Sequence, residues 1–260
     1  MNESKNRLDP IAIRRACDSL IRLYESEDSI SVLREDSTKI QVLHGLCQHA
    51  VNQGRAALVL LDADLSGQAV VNIRVALEHA VTAQWALLTP NGIGRLESGA
   101  KKKSSLYYES ANLNMIIDTT AMGKTAGWNE LDQFPNFSSI CDELDSTHDP
   151  KVAKSGTLRF EYVRLSQSVH VTGSTIAGYL GVNQETVTTT LNCDQADRFA
   201  VPNLCDLAMA LAMSCWVVES LRAAPNRLGE VERIASEVNI PASLVTDYEI
   251  SKKRKGEMKE

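Results

Sequence analysis

The sequence predicts an all-α fold, a helical bundle built on a long antiparallel helix hairpin. Three observations carry that prediction. Aromatic residues make up only 5% of the chain, and alanine and leucine dominate its apolar stretches. Two long segments of helical periodicity stand side by side, parted by a turn of a few residues. Only one stretch, the polar and threonine-rich residues 181–201, offers a possible short strand against these helical segments. With 260 residues, 43% hydrophobic and 23% charged, the chain is large enough for a substantial core.

In order, apolar residues at 13, 16, 20 and 23 mark a short amphipathic helix over 11–24. A charged connection, "SEDS" to "REDSTK", follows. From Thr38 the periodicity runs through "IQVLHGLCQHAVNQGRAALVLL" to about Leu61, with Gly54 tolerated inside it. "DADLSG" is a turn rich in breakers, and "QAVVNIRVALEHAVTAQWALL" is the second long helix, ended by "TPNG". Two long helices joined so tightly must pack antiparallel. A third helix is expected over 95–120, a loop over "GKTAGWNELDQFPNFSS", and a short helix over 139–144. Thr157 is placed to cap a helix with apolar positions Leu158, Tyr162, Leu165 and Val169. "TVTTTL" within 181–201 reads as a possible short strand. Pro202 opens a strongly apolar helix to about Arg222, and a smaller helix over 227–239 precedes a basic tail, "SKKRKGEMKE". The resulting organisation is an N-terminal helix and linker (1–36), the bundle (37–224), and a C-terminal helix and tail (225–260).

The net charge of −6 argues against a protein coated in nucleic acid or anionic lipid, though it permits a local basic site. The polar N-terminus predicts no signal peptide. The most apolar run, Leu207 to Val218, lies between Asp206 and Glu219 and is shorter than the roughly 20 residues a membrane span needs. No membrane association is expected, and the location expected is cytoplasmic. The six cysteines form no C-x-x-C pair and mostly sit in apolar helical runs, which predicts buried reduced thiols and no zinc site. No cofactor or metal is expected.

Several motifs fail on inspection. "MGKTAG" at 122–127 lacks the first glycine of a phosphate loop, since position 118 is Asp118. "NGIG" at 91–94 lacks the strand-turn-helix setting of a dinucleotide site. His44 and His49 lie about 140° apart on one helix and cannot face a common metal. No G-x-S-x-G elbow occurs.

What remains is "RLSQSVH" at 164–170. On a helical wheel Arg164, Gln167 and His170 lie opposite the apolar stripe, with Arg164 about 120° from His170 and roughly 9 Å from it along the axis. An extended arginine spans most of that gap, and Val171, Thr172 and Gly173 favour fraying beyond His170. The chemistry suits phosphodiester cleavage: arginine holds two phosphate oxygens at any accessible pH, and histidine moves protons near neutrality. The spacing alone is weak, because chance supplies about one such match in a chain of this composition. This one has two, the second being Arg74–His79.

The segment "EYVRLSQSVHVTGSTIAGYL" resembles a bacterial family of unknown function within the HEPN superfamily of helical ribonucleases and nucleotide-binding domains. "AVVNIRVALEHAVTAQWALL" resembles that family's second long helix, where an arginine and a glutamate sit four apart. The resemblance spans roughly residues 40–220 in helix order and rests on few specific residues. It implies an active site from the arginine–histidine motif near a helix end, with two copies meeting across a homodimer axis in one cleft. Carried onto this chain, Arg164 would bind the scissile phosphate and His170 would act as general acid or base, with Tyr162 and Gln167 beside them.

The second long helix adds a physical argument. It is apolar on most sides yet carries Arg74 and Glu78 near its middle, and such charges are costly unless paired. Either they lock the hairpin as an internal ion pair, or one of them stands beside His170. His79 points elsewhere and reads as a packed histidine. The lysine run at 101–103 and the "KKRK" tail read as solvated charge. Two functions follow as expectations. One is a metal-independent endoribonuclease of toxin or phage-defence type, acting on RNA and held by an antitoxin or other protein partner. The other is a noncatalytic helical module that binds a partner protein or nucleotide.

Overall fold

A computed structural model describes residues 9–100, 135–147, 155–170, 180–183, 188–191, 200–223 and 226–244. The first helix, α1 (Pro10–Glu25), starts where Asp9 accepts a hydrogen bond from the Ile11 amide at 2.9 Å and Pro10 occupies the first turn. Its apolar stripe buries Ile13, Ala16, Cys17, Leu20 and Leu23, the periodicity the sequence displays. These residues of α1 join the main hydrophobic core. A single 3₁₀ turn, Arg34–Asp36, leads into α2 (Ser37–Asp62).

α2 and α3 (Ser66–Leu88) form the hairpin. α2 ends in a Schellman motif: the Leu65 amide donates to the Leu60 carbonyl at 2.8 Å and the Asp64 amide to Leu61 at 3.2 Å. Asp64 takes the left-handed conformation that glycine usually fills there, at φ 57°. Gly54 is the close-approach point of α2: a Cβ there would lie 2.9 Å from Leu211 Cδ2 on the apolar helix α7 (Ala200–Leu221).

α7 is the axis of the fold, packed on α1, α2, α3 and α8 (Leu228–Glu237). From Asp206 to Leu221 every residue is buried. The helix is longer than the apolar run at its centre; by length and apolarity it could cross a membrane, and here most of it lies inside the bundle. Buried Gln84 of α3 ties the end of the described chain to this core, donating to the Ala242 carbonyl and accepting from the Leu244 amide, both at 2.8 Å.

The remaining elements stand beside α3. Residues 92–100 are helical (α4), and Arg95 from this stretch makes a bidentate pair with Glu143, at 2.7 and 2.9 Å. Glu143 belongs to α5 (Phe137–Thr147), capped by Asn136 through the Ser139 amide. α6 (Ser155–Val169) packs on α3 and α5 and begins two residues before Thr157, which is therefore inside the first turn and not its cap. Strands β1 (Leu180–Asn183) and β2 (Thr188–Leu191) form a small antiparallel hairpin with Leu180 opposite Leu191, so "TVTTTL" does supply a strand. Among the described residues the regular structure is helical apart from this hairpin and one isolated bridge between Val32 and Arg222. The expected helix beyond residue 100, Lys101–Lys103, "MGKTAG", "VTGST", Cys193 and the basic tail lie outside the described residues. Among the described residues Cys17, Cys47, Cys141 and Cys215 are buried cysteines and Cys205 is half-buried, with Cys17, Cys47, Cys205 and Cys215 as free thiols.

Candidate functional site

α6 carries the segment singled out above, and its surroundings divide that segment's residues into two groups. Leu158 and Leu165 are fully buried, and Tyr162 and Val169 are half-buried, as the apolar stripe predicts. The exposed face is Phe160, Val163, Gln167 and His170, which fall within about 80° of one another on the wheel.

Arg164 is not on that exposed face. Expected to look outward toward His170, it turns instead to the first turns of α7, and its side chain is only 11% exposed. Nε donates to Glu161 Oε2 at 2.6 Å, Nη1 to Asn203 Oδ1 at 2.6 Å, and Nη2 to Asp206 Oδ2. The physical reason is the buried carboxylate of Asp206. An unpaired anion inside a helix interface is costly, and the nearest long cation on α6 is drawn to it. Among the described residues two carboxylates, Glu161 and Asp206, then share one guanidinium. Burial, reinforced by Glu161 and opposed by Arg164, pushes the Asp206 carboxyl up from 3.8 to about 7.

Arg74 provides the other group. It reaches from α3 to α6, where Nε donates to Ser166 Oγ at 3.1 Å and Nη2 to the Tyr162 hydroxyl at 2.7 Å. Glu78 approaches Nη2 at 3.7 Å and is itself 42% exposed, so the pair is half at the surface rather than locked inside the hairpin. Nη1 of Arg74 has no partner among the described residues. Phe137 stacks on the Tyr162 ring at 4.0 Å and holds the phenol in position. His170 is exposed, and its amide donates to the Ser166 carbonyl at 3.1 Å. Ser166 and His170 are thus one helical turn apart, with Arg74 anchored at the first of them.

The predicted residues therefore separate. Arg74, Glu78 and Tyr162 come together on one side of α6, a turn from His170, while Arg164 is engaged elsewhere. The second spacing match, Arg74–His79, does not converge. His79 is half-buried, with Nδ1 2.8 Å from the Val75 carbonyl and its ring 4.6 Å from that of His49. Burial holds His79 below the usual histidine range. His44 and His49 are exposed on α2. Sequence reasoning passed over Ser166, Glu161, Asn203 and Asp206. The only available signal was Asp206 itself, a carboxylate at the edge of the most apolar run. Among the described residues no group of three or more His, Cys, Asp or Glu side chains could hold a metal.

Fold and site together define a class, a helical bundle with an arginine-centred polar cluster between its hairpin and a flanking helix. No family model, curated protein or solved structure matches the chain.

Proposed function

We propose that the chain is a HEPN-like, metal-independent endoribonuclease of toxin or phage-defence type in which Arg74, rather than Arg164, holds the scissile phosphate. The observation that carries this reading is the fixing of Arg74 by Ser166 and Tyr162, one turn from the exposed His170. A guanidinium held along one edge, with Nη1 unengaged, is organised in advance to accept phosphate oxygens without further ordering. In the reaction His170 takes the proton of the 2′-hydroxyl, the 2′-oxygen attacks phosphorus, and the bond to the 5′-oxygen breaks. A second His170, across a homodimer axis, donates a proton to the departing 5′-oxygen. The products are a 2′,3′-cyclic phosphate and a 5′-hydroxyl. Glu78 orients the cation, and Arg164 joins α6 to α7. Free buried thiols favour a reducing, cytoplasmic setting.

One observation favours the noncatalytic reading: Phe160 and Val163 are 66% and 50% exposed on the same face as His170, which suits a protein contact. A single experiment separates the two. Purified protein is incubated with RNA in EDTA, and the ends are mapped. The nuclease reading expects cyclic phosphate ends, loss of cutting in His170→Ala and Arg74→Gln, and cutting retained in Arg164→Gln if that variant stays folded. Undiminished cutting in His170→Ala rejects the assignment. No cutting by the wild type, with Phe160→Ser disrupting dimerisation or partner binding in light scattering, selects the noncatalytic module.

A further inference from the structure

The C-terminal end of α7 borders a cleft of about 290 Å³ remote in sequence from α6. Leu23, Ile30, Ile40 and Val218 supply its apolar walls, and its volume falls near the small end for small-molecule sites. Tyr24 and His44 close one side: their rings stack at 6.0 Å, and the Tyr24 hydroxyl lies 3.2 Å from His44 Nδ1.

The polar side of the cleft has two arginines and three carboxylates, Glu27, Asp28 and Glu219, in an unequal arrangement. Glu219 is buried, with its side chain 3% exposed, and it is engaged permanently. It lies 3.0 Å from Arg222 Nε and 2.8 Å from Arg227 Nη2, and it also accepts from the Arg227 amide at 2.9 Å. One buried carboxylate against two guanidiniums leaves one positive charge over. Glu27 neutralises that excess: its Oε2 meets Arg222 Nη1 at 2.6 Å, and its Oε1 lies 3.6 Å from Arg227 Nη1. Yet Glu27 is 43% exposed and sits in the connection after α1, not on a helix. The Arg222 hydrogen bond holds its carboxyl below the usual range, so it is an anion at neutral pH. Asp28, also on the rim, makes no contact with either guanidinium.

We infer that this cleft binds a small amphipathic carboxylate, whose headgroup takes the place of the Glu27 carboxylate on Arg222 and Arg227 while its hydrocarbon enters the apolar walls. Only the Glu27 side of this ion pair is exposed to solvent: Arg222 is 9% exposed and Glu27 43%, so Glu27 can leave into water while the arginine stays, and it acts as an internal competitor for the site. When Glu27 leaves, the buried Glu219 still hydrogen-bonds Arg227 and stays 3.0 Å from Arg222 Nε as an ion pair, and the contacts that Glu27 vacates take one carboxylate.

The test uses the full chain and three probes that share one tail: octanoate, octanol and octylamine, each titrated by calorimetry below its micelle-forming concentration. Octanoate is expected to bind at least tenfold more tightly than octanol, with octylamine weaker than either. Glu27→Gln keeps the shape and an acceptor oxygen but removes the competing charge. It should strengthen octanoate binding about tenfold, leave octanol unchanged, and hold its melting temperature near that of the wild type. Equal affinity for octanoate and octanol, preference for octylamine, or no gain in Glu27→Gln overturns the inference. None of these outcomes bears on RNA cleavage.

Discussion

The Arg164 cluster makes a prediction whose sign can be worked through in full. Asp206 is 4% exposed and shares Arg164 with Glu161. Its carboxyl is raised from 3.8 to about 7, so between those values the folded chain holds a proton that the unfolded chain has released. Where the folded state binds more protons, stability falls as pH rises. The contribution is therefore greatest below pH 4, declines through the interval to about pH 7, and is flat above it. The full span corresponds to about 4 kcal/mol as an upper bound, so a loss of about 2–4 kcal/mol is expected. His79 works in the opposite direction: burial lowers its pKa, so its contribution is present above the unfolded value of 6.5 and is lost as pH falls. Comparing variant with wild type cancels that term.

The perturbation is Asp206→Asn, which keeps a carbonyl oxygen for Arg164 and removes the charge. Urea unfolding at pH 5 and pH 8 is the assay. Relative to wild type, the variant should gain about 1–3 kcal/mol at pH 8 and little at pH 5, so its stability should depend less on pH across that window. Arg164→Gln should do the reverse, costing about 3–5 kcal/mol at pH 8 because it leaves two carboxylates without their cation. An unaltered pH slope in Asp206→Asn, or a variant less stable than wild type at pH 8, would show that the Asp206 carboxyl is not raised.

Two further predictions concern the core. Gln84→Ala removes both partners of the Ala242 carbonyl and Leu244 amide, costing about 2–4 kcal/mol and speeding amide exchange at Leu244 well beyond the average for α3. Burial pushes the Cys17 and Cys47 thiols up to about 12, so in native protein at pH 8 both should resist a thiol-directed disulfide reagent that labels them within minutes in urea, with peptide mapping by mass spectrometry as the readout.

Most of the helical framework is legible from periodicity, because one contact type dominates there. The stripe at 13, 16, 20 and 23 buries against a continuous apolar partner, and nothing competes with it. The hairpin turn is legible for a similar reason: a short turn brings two long helices side by side whatever else packs on them. The orientation of charged residues on α6 is not legible. A helical wheel assigns each residue a direction but says nothing about what waits in that direction. Arg164 lies at one edge of the polar side of its wheel, and that edge faces a buried aspartate on α7 while Gln167 and His170 face solvent. The wheel also places Arg74 in the apolar surround of α3, where no local signal foretells that Tyr162 and Ser166 will meet it.

The same rule operates at both ends of α7. Asp206 and Glu219 look, in sequence, like the points where an apolar helix returns to water. Both are buried, and each holds arginines from a different part of the chain, Arg164 from α6 at one end, Arg222 and Arg227 near the other. A carboxylate buried at the end of a core helix cannot choose a neutral neighbour cheaply, so it selects a cation and thereby fixes the segment that carries it. At the α6 end that selection turns Arg164 away from the exposed face that carries His170, while Arg74 is held on the other side by Tyr162 and Ser166. At the other end one carboxylate holds two arginines, and the charge left over is the one that Glu27 covers from the surface. The separation of anchoring arginines from available ones is thus set by α7.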